Sequence, residues 1–303
     1  MAETTRRVEE DICHTGEFMK LTKHHGLGND FLIHLVDNQA PATNSPEVGA
    51  RNPATRKGLA ASDIGPEHAR DWCDRKTGIG ADGLMVATNK TSDNHFSMKL
   101  WNADGSRAEL SGNGLRCLGQ ALAHHTGLTQ FEVDTDAGPR SIIVHPSNEG
   151  NDQDTVEVTV SMGVVTASGE TFDGWPSLGL EVGNQLGVDV GNPHLVVQVD
   201  DPSLVDLAKV GPVVEASFGN GVNLEVVSVR GRAEVSMRVW ERGVGLTQAC
   251  GSGAVATAYA AHQWGLVDNR VDVVMPGGAV TVELDGAESL LKGPATYVAD
   301  VEV

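Results

Sequence analysis

Cys250 stands in Ala249-Cys250-Gly251-Ser252-Gly253, immediately ahead of a run that is apolar from Ala254 to Ala261 apart from Thr257 and Tyr259. A glycine-rich turn that opens a helix presents unpaired backbone N–H groups and the positive end of the helix dipole. Such a turn holds a carboxylate, and it lowers the pKa of a cysteine placed there toward the thiolate. A free cysteine is most often a small buried hydrophobe. The polar turn favours the reactive reading instead, with a depressed pKa. A thiolate beside anion-binding N–H groups can take a proton from a carbon that carries a carboxylate.

The turn has a partner. Met98-Lys99-Leu100-Trp101-Asn102 aligns with Met237-Arg238-Val239-Trp240-Glu241 at an offset of 139. The same offset lays Ser111-Gly112-Asn113-Gly114 on Cys250-Gly251-Ser252-Gly253. Leu115, Leu118 and Leu122 follow the first turn at helical spacing, and the run after the second is apolar on nearly every face, as in a buried helix. Gly127 and Gly265 fall where helix C-caps belong. Val133-Asp134 and Val271-Asp272 then read as matching strand starts, with the offset slipped by one. These features in one register indicate an internal duplication. Each half is expected to wrap strands around one buried helix, and the two helix starts to face each other across a cleft. One acid/base group then lies on each side of a small substrate, a layout that suits inversion of a stereocentre.

Short β-branched runs recur at 18–22, 31–36, 142–144, 156–160, 195–199, 224–229, 271–274 and 280–282, punctuated by Gly, Pro, Asn or Asp. They point to mixed β-structure with few long helices. Residues 1–18 read as a polar leader and 37–65 as a long loop. The length of 303 residues accommodates two domains. Lys and Arg number 22 against 41 Asp and Glu, a net charge of −19. So acidic a surface repels nucleic acid and anionic membranes, which excludes both as default partners. No stretch approaches the roughly 18–20 apolar residues of a membrane span, and no apolar segment follows Arg6 and Arg7 as in a secretory signal. Cys13, Cys73, Cys117 and Cys250 form no CxxC and read as reduced thiols of a cytoplasmic protein. Two other motifs fail. Gly78-Ile79-Gly80-Ala81-Asp82-Gly83 spells GxGxxG, but Asp74-Arg75-Lys76-Thr77 precedes it where a dinucleotide fold needs a strand. Ser111 is no hydrolase elbow, because Glu109 stands where the first glycine belongs.

The chain resembles the diaminopimelate epimerases, cofactor-independent amino acid epimerases. The matching segments are His25-Gly26-Leu27-Gly28-Asn29-Asp30-Phe31, Asp74 to Gly83, Asn102-Ala103-Asp104-Gly105-Ser106, Ser111 to Cys117, Gly191-Asn192-Pro193-His194, Asn223, and Glu241 to Ala254. The resemblance implies that Cys250 is one of two catalytic cysteines and that Ser111 stands where the other belongs. It implies that His194 and Glu241 tune the catalytic groups. Asn29, Asn102, Asn192, Asn223, Glu241 and Arg242 would hold the distal amino-acid end of the substrate. Gly112, Asn113, Gly251 and Ser252 would grip the carboxylate at the reacting carbon through backbone N–H groups. Arg242 can fork onto a carboxylate, and Asn amides serve either an ammonium or a carboxylate. Position 83, a substrate-contacting Gln in some members, is Gly83 and carries no role.

The fold expected from the resemblance is α/β (α+β): two pseudo-symmetric halves, each a barrel-like mixed sheet around a central helix, with the active site in the cleft between them. Residues 1–154 plus 290–303 would form the first half and 155–289 the second. The activity implied is interconversion of LL- and meso-diaminopimelate without pyridoxal phosphate, metal or other cofactor, by a cytoplasmic homodimer. Ser111 leaves three readings open: a change that disables one half-reaction, a working Ser/Cys pair, or chemistry moved toward the dehydratases of the proline racemase group. An amino-acid-binding protein on the same scaffold is the non-enzyme alternative.

Overall fold

The computed structural model describes residues 19–36, 63–90, 94–146, 154–286 and 288–303. The leader at 1–18 and most of the loop at 37–65 lie outside the described residues. The first half runs β1 (Lys20–Gly26), β2 (Asn29–Val36), α1 (Pro66–Cys73), β3 (Gly83–Asn89), β4 (His95–Asn102), β5 (Arg107–Ala108), α2 (Gly112–Thr126), β6 (Gln130–Thr135), β7 (Gly138–His145) and β8 (Thr155–Val164). The second runs β9 (Thr166–Ala167), β10 (Gln185–Asp189), β11 (Pro193–Gln198), α3 (Leu207–Ser217), β12 (Asn223–Gly231), β13 (Glu234–Glu241), β14 (Gly245–Leu246), α4 (Gly251–Gln263), β15 (Arg270–Met275), β16 (Gly278–Asp285) and β17 (Glu288–Glu302).

The pairings close two rings. One follows β1-β2-β3-β4-β6-β7-β8-β17 and returns to β1. The other follows β10-β11-β12-β13-β15-β16-β17-β8 and returns through β9, which continues β8, to β10. In each ring two pairs are parallel, β2–β3 and β4–β6 in the first, β11–β12 and β13–β15 in the second. Parallel neighbours need a crossover. Helices α1 and α3 supply the outer one in each half, and α2 and α4 pass through the ring interiors. The strands β8 and β17 belong to both rings, so the expected divisions at 154/155 and 289/290 fall on elements that the halves share.

The sequence explains which helix goes inside. Nearly every face of α4 is apolar, and Ala254, Val255, Ala256 and Ala260 are wholly buried. In α2, Leu115, Leu118 and Leu122 are wholly buried as well. By contrast α3 buries one stripe, Leu207, Val210 and Val214, against Leu195, Val197, Leu224 and Val226 on the outside of the sheet. The chain leaves α2 through Gly127, whose φ of 74° suits a residue without Cβ. Gly265 takes the same conformation one residue past the C-cap Trp264 of α4. The strands that follow correct one expectation. Val133 pairs with Phe96 as Val273 pairs with Val235, so the offset there is 140, not 138. The cause is the longer link after Gly265: residues 266–269 precede β15, whereas only 128 and 129 precede β6.

His24 on β1 points into the first ring, with Nδ1 2.9 Å from Gln120 Oε1 of α2 and Nε2 3.0 Å from Thr22 Oγ1. Burial pushes its pKa from 6.5 down to about 4, although the bond to Gln120 pulls the other way. The native state therefore binds fewer protons than the unfolded chain between those values. Its contribution is complete above pH 6.5 and is lost as pH falls toward 4, by about 3 kcal/mol at most. Urea unfolding at pH 7 and pH 4.5 is expected to show this loss, and His24→Gln to remove that part of it.

Candidate active site

Ser111 is the N-cap of α2 and Cys250 the N-cap of α4. Both have extended backbones. Ser111 Oγ accepts from Gly114 N at 3.0 Å, and Cys250 Sγ accepts from Gly253 N at 3.3 Å. Each cap satisfies the third N–H of its helix and leaves the first two over. These belong to Gly112 and Asn113 in α2 and to Gly251 and Ser252 in α4. The two helix starts abut: a Cβ on Gly251 would lie 3.0 Å from Gly112 Cα and 3.2 Å from Asn113 N. Only glycine permits that approach. Both turns line one cavity of about 410 Å³. Two positive helix ends aimed at one small volume make a carboxylate site.

The thiol departs from expectation. Burial, and then the carboxylates of Glu241 and Glu225, push the Cys250 pKa well above that of a free thiol. The contacts with Ser252 Oγ, at 3.6 Å, and Gly253 N pull it down by less. The helix start does not depress it, because the thiol is buried and two carboxylates act on it. Cys250 is thus protonated at rest, with the Glu241 carboxylate close enough to act on it through charge. Glu241 also accepts from Thr247 Oγ1, and burial raises its own pKa. Both groups thus resist charge in this buried setting. Alkylation of Cys250 by iodoacetamide in the free protein is expected to be slow at pH 7 and to rise with pH. Glu241→Gln removes a negative neighbour and is expected to accelerate it; a slower reaction in that variant would contradict this assignment.

Away from the helix starts the cavity is lined by Asn29, Asn102, Asn192 and Arg242, with the carboxylates of Asp82 and Asp104. Asn29 Nδ2 donates to Asp82 Oδ2 at 2.8 Å, and Asn102 Nδ2 to Ser106 Oγ at 2.9 Å. The cavity therefore offers N–H donors for one carboxylate, a guanidinium for another, and acidic groups for cations.

The sequence profile of the family described as Diaminopimelate epimerase matches residues 21–167 and 187–298. The Bacteroides thetaiotaomicron protein of that name is 37% identical over 293 residues, covering 94% of this chain and 98% of its own. The one from Magnetococcus marinus is 35% identical over 294 residues, covering 92% and 95%. The chain belongs to the diaminopimelate epimerase family. Among solved structures, a hydroxyproline epimerase from Agrobacterium vitis shares the fold with a TM-score of 0.66 at 15% identity, covering 94% of this chain and 91% of its own.

Among the residues that the family resemblance singled out, the structure brings Ser111, Gly112, Asn113, Cys250, Gly251, Ser252, Glu241, Arg242, Asn29, Asn102 and Asn192 to one cavity. Two lie behind it. Asn223 is buried, accepting from Arg242 N at 2.9 Å and donating to Pro193 O at 2.8 Å. It ties the Arg242 turn to the start of β11. His194 is buried as well, with Nδ1 2.7 Å from Glu225 Oε1 and Nε2 3.0 Å from Asn192 Oδ1. At position 83 a Cβ would lie 2.9 Å from the Trp101 carbonyl oxygen and 3.1 Å from Phe31 Cδ1, so backbone and ring together leave no room for a larger side chain. Cys117, one turn inside α2, is wholly buried with its pKa pushed up to about 12 by burial.

The sequence reading missed Glu225, Thr247 and Asp82. Glu225 had a signal: it is the one charged residue in the apolar run Val222–Val229. A lone carboxylate in a central strand needs a buried partner. The reading also missed the role of Asp82, which stood inside a motif excluded for nucleotide binding.

Proposed function

We propose that this chain interconverts LL- and meso-diaminopimelate by proton transfer at the α-carbon, without pyridoxal phosphate or metal. The observation that carries the reading is the pair of helix starts, capped by Ser111 and Cys250, that meet at Gly112 and Gly251 in one cavity. The α-carboxylate sits on the spare N–H groups of both helices. Arg242 takes the distal carboxylate, and the carboxylates of Glu241, Asp82 and Asp104 are within the same cavity for the ammonium groups. Cys250 passes its proton to Glu241 and, as thiolate, removes the α-hydrogen from one face. The C–H electron pair moves into the carboxylate, where the helix N–H groups stabilise the developing charge. The Ser111 hydroxyl delivers a proton to the opposite face and recovers one from solvent, and Glu241 gives up to solvent the proton that it took, since the α-hydrogen has re-protonated Cys250. The relatives' shared name supports the substrate, whose product would feed lysine and peptidoglycan precursor synthesis. The acidic, largely polar chain suits the cytoplasm, and the resemblance suggests a homodimer, which light scattering tests.

The deciding experiment is α-proton exchange in heavy water from each pure isomer. Exchange with formation of the other isomer is expected, unchanged by a chelator. Binding without exchange indicates an amino-acid-binding protein. Loss of water from a hydroxylated substrate indicates a dehydratase.

A further inference from the structure

Arg116 is the largest wholly buried side chain among the described residues. It lies on α2, and its guanidinium is threaded between two strands. A Cβ on Gly26 of β1 would lie 2.9 Å from its Nη2, and one on Gly293 of β17 would lie 2.6 Å from its Nη1. Nη2 donates to Asn113 Oδ1 at 2.9 Å, whereas Nε and Nη1 have no hydrogen-bond partner. Burial lowers its pKa to about 10, which still leaves the group charged at neutral pH. A buried cation with one acceptor is an expensive way to fill space that a methionine could fill.

What the charge achieves is polarity. A guanidinium only donates, so the Asn113 atom facing it is Oδ1. Both hydrogens of Asn113 Nδ2 are then committed, one to Ala249 O at 3.0 Å and one to Asn29 Oδ1 at 3.1 Å. Asn29 in turn shows Nδ2 to Asp82 Oδ2, and a carboxylate only accepts. Asp82 is itself held by Arg75, whose Nη2 donates to Oδ1 at 2.7 Å. The chain from Arg116 through Asn113 and Asn29 to Asp82 thus has a donor-only group at one end and an acceptor-only group at the other. Neither amide can turn over without breaking a bond at each end. The device is one-sided: the duplication offset of 139 places Val255 opposite Arg116 and Ser252 opposite Asn113.

We propose that Arg116 is a positioning residue: from behind the cavity it fixes the amide polarity of Asn113 and, through it, of Asn29, so that Asn29 meets the ligand with its orientation preset. The same bond from Asn113 to Ala249 anchors the residue before Cys250. The choice of diaminopimelate as probe rests on the proposed function, but the polarity itself does not.

Two measurements separate these. In the ligand-free protein, the side-chain amide protons of Asn29 and Asn113 are followed by ¹H–¹⁵N exchange in heavy water. Arg116→Lys, still donor-only, is expected to keep their protection, and Arg116→Gln, which can also accept, to lose at least tenfold of it. Diaminopimelate affinity, measured by calorimetry, is expected to fall at least tenfold in Arg116→Gln and to recover in Arg116→Lys. Combined with Asn29→Ala, Arg116→Gln is expected to add nothing further. Asn113→Asp keeps a partner for Arg116 and guards against a folding defect. It cannot donate to Asn29, so it should weaken binding as Arg116→Gln does. Equal protection in Arg116→Gln and Arg116→Lys, full affinity in Asn113→Asp, or additive losses with Asn29→Ala would overturn the proposal. Failure of the unmodified chain to bind diaminopimelate counts against the function alone, since the exchange measurement still decides the role of Arg116.

Discussion

Ser111→Cys is expected to raise epimerisation by about 10²–10⁴-fold, the range that one well-placed acid/base group contributes. The twin turns supply the reason. Cys250 and Ser111 occupy the same N-cap geometry, and the sulfur at 250 bonds Gly253 N as the hydroxyl at 111 bonds Gly114 N. A thiol at 111 therefore fits a cap that its counterpart already demonstrates. The chemical difference is large. When the Ser111 hydroxyl gives up a proton it leaves an alkoxide, a far stronger base than a thiolate, so a serine is a weak acid and cannot rest as a base. Removal of the α-proton is expected to survive from the isomer facing Cys250 and to be slow from the isomer facing Ser111. Exchange from pure LL- and pure meso-diaminopimelate, measured for both proteins, reads this directly. Equal rates from both isomers in the unmodified chain, with no gain in Ser111→Cys, would show that the serine is a competent partner.

The duplication was legible because β4, β13 and the two helix starts keep the offset of 139 that Trp101 and Trp240 announce. It let the sequence place two N-caps in one cleft. The closure of two rings was expected from the resemblance, but the sharing of β8 and β17 was not visible. Both are long strands with more than one partner each, β7 and β17 for β8 and β1, β8 and β16 for β17, and alternation in a sequence reports burial without naming the neighbour. The offset slipped the wrong way at Val133 for a local reason, two additional residues after Gly265.

In the site, residue types were legible and charge states were not. The helix start at Cys250 argued for a thiolate, but the pKa depends on Glu241 and Glu225, which lie on two other strands. No local pattern brings a residue on β12 and one at the end of β13 beside a turn that follows both in the chain. The same holds for Asn223. Its type fits a ligand contact, and its amide also bonds Pro193 O and Arg242 N, both supplied by the fold, with one N–H and one lone pair left over. Polar residues that touch substrate and polar residues that hold the ones that do look alike in a sequence. They separate only when every donor and acceptor is assigned.

Cys250→Ser is expected to abolish α-proton exchange from both isomers while leaving the fold and diaminopimelate binding in place. The fold should persist because serine is a strong N-cap. Ser111 already shows, on Gly114 N of α2, the bond that a hydroxyl at position 250 would make to Gly253 N of α4. Binding should persist because, in the proposed binding mode, backbone N–H groups hold the carboxylate and side chains elsewhere in the cavity hold the distal end. What is lost is the only group of the pair that can become a stable base at neutral pH. Glu241 would then face a hydroxyl whose proton it cannot take, and both faces of the α-carbon would meet weak acids. Exchange from each isomer, set beside the calorimetric affinity and the urea midpoint of the same variant, separates chemistry from folding. Retained exchange at the unmodified rate would show that Cys250 is not the base.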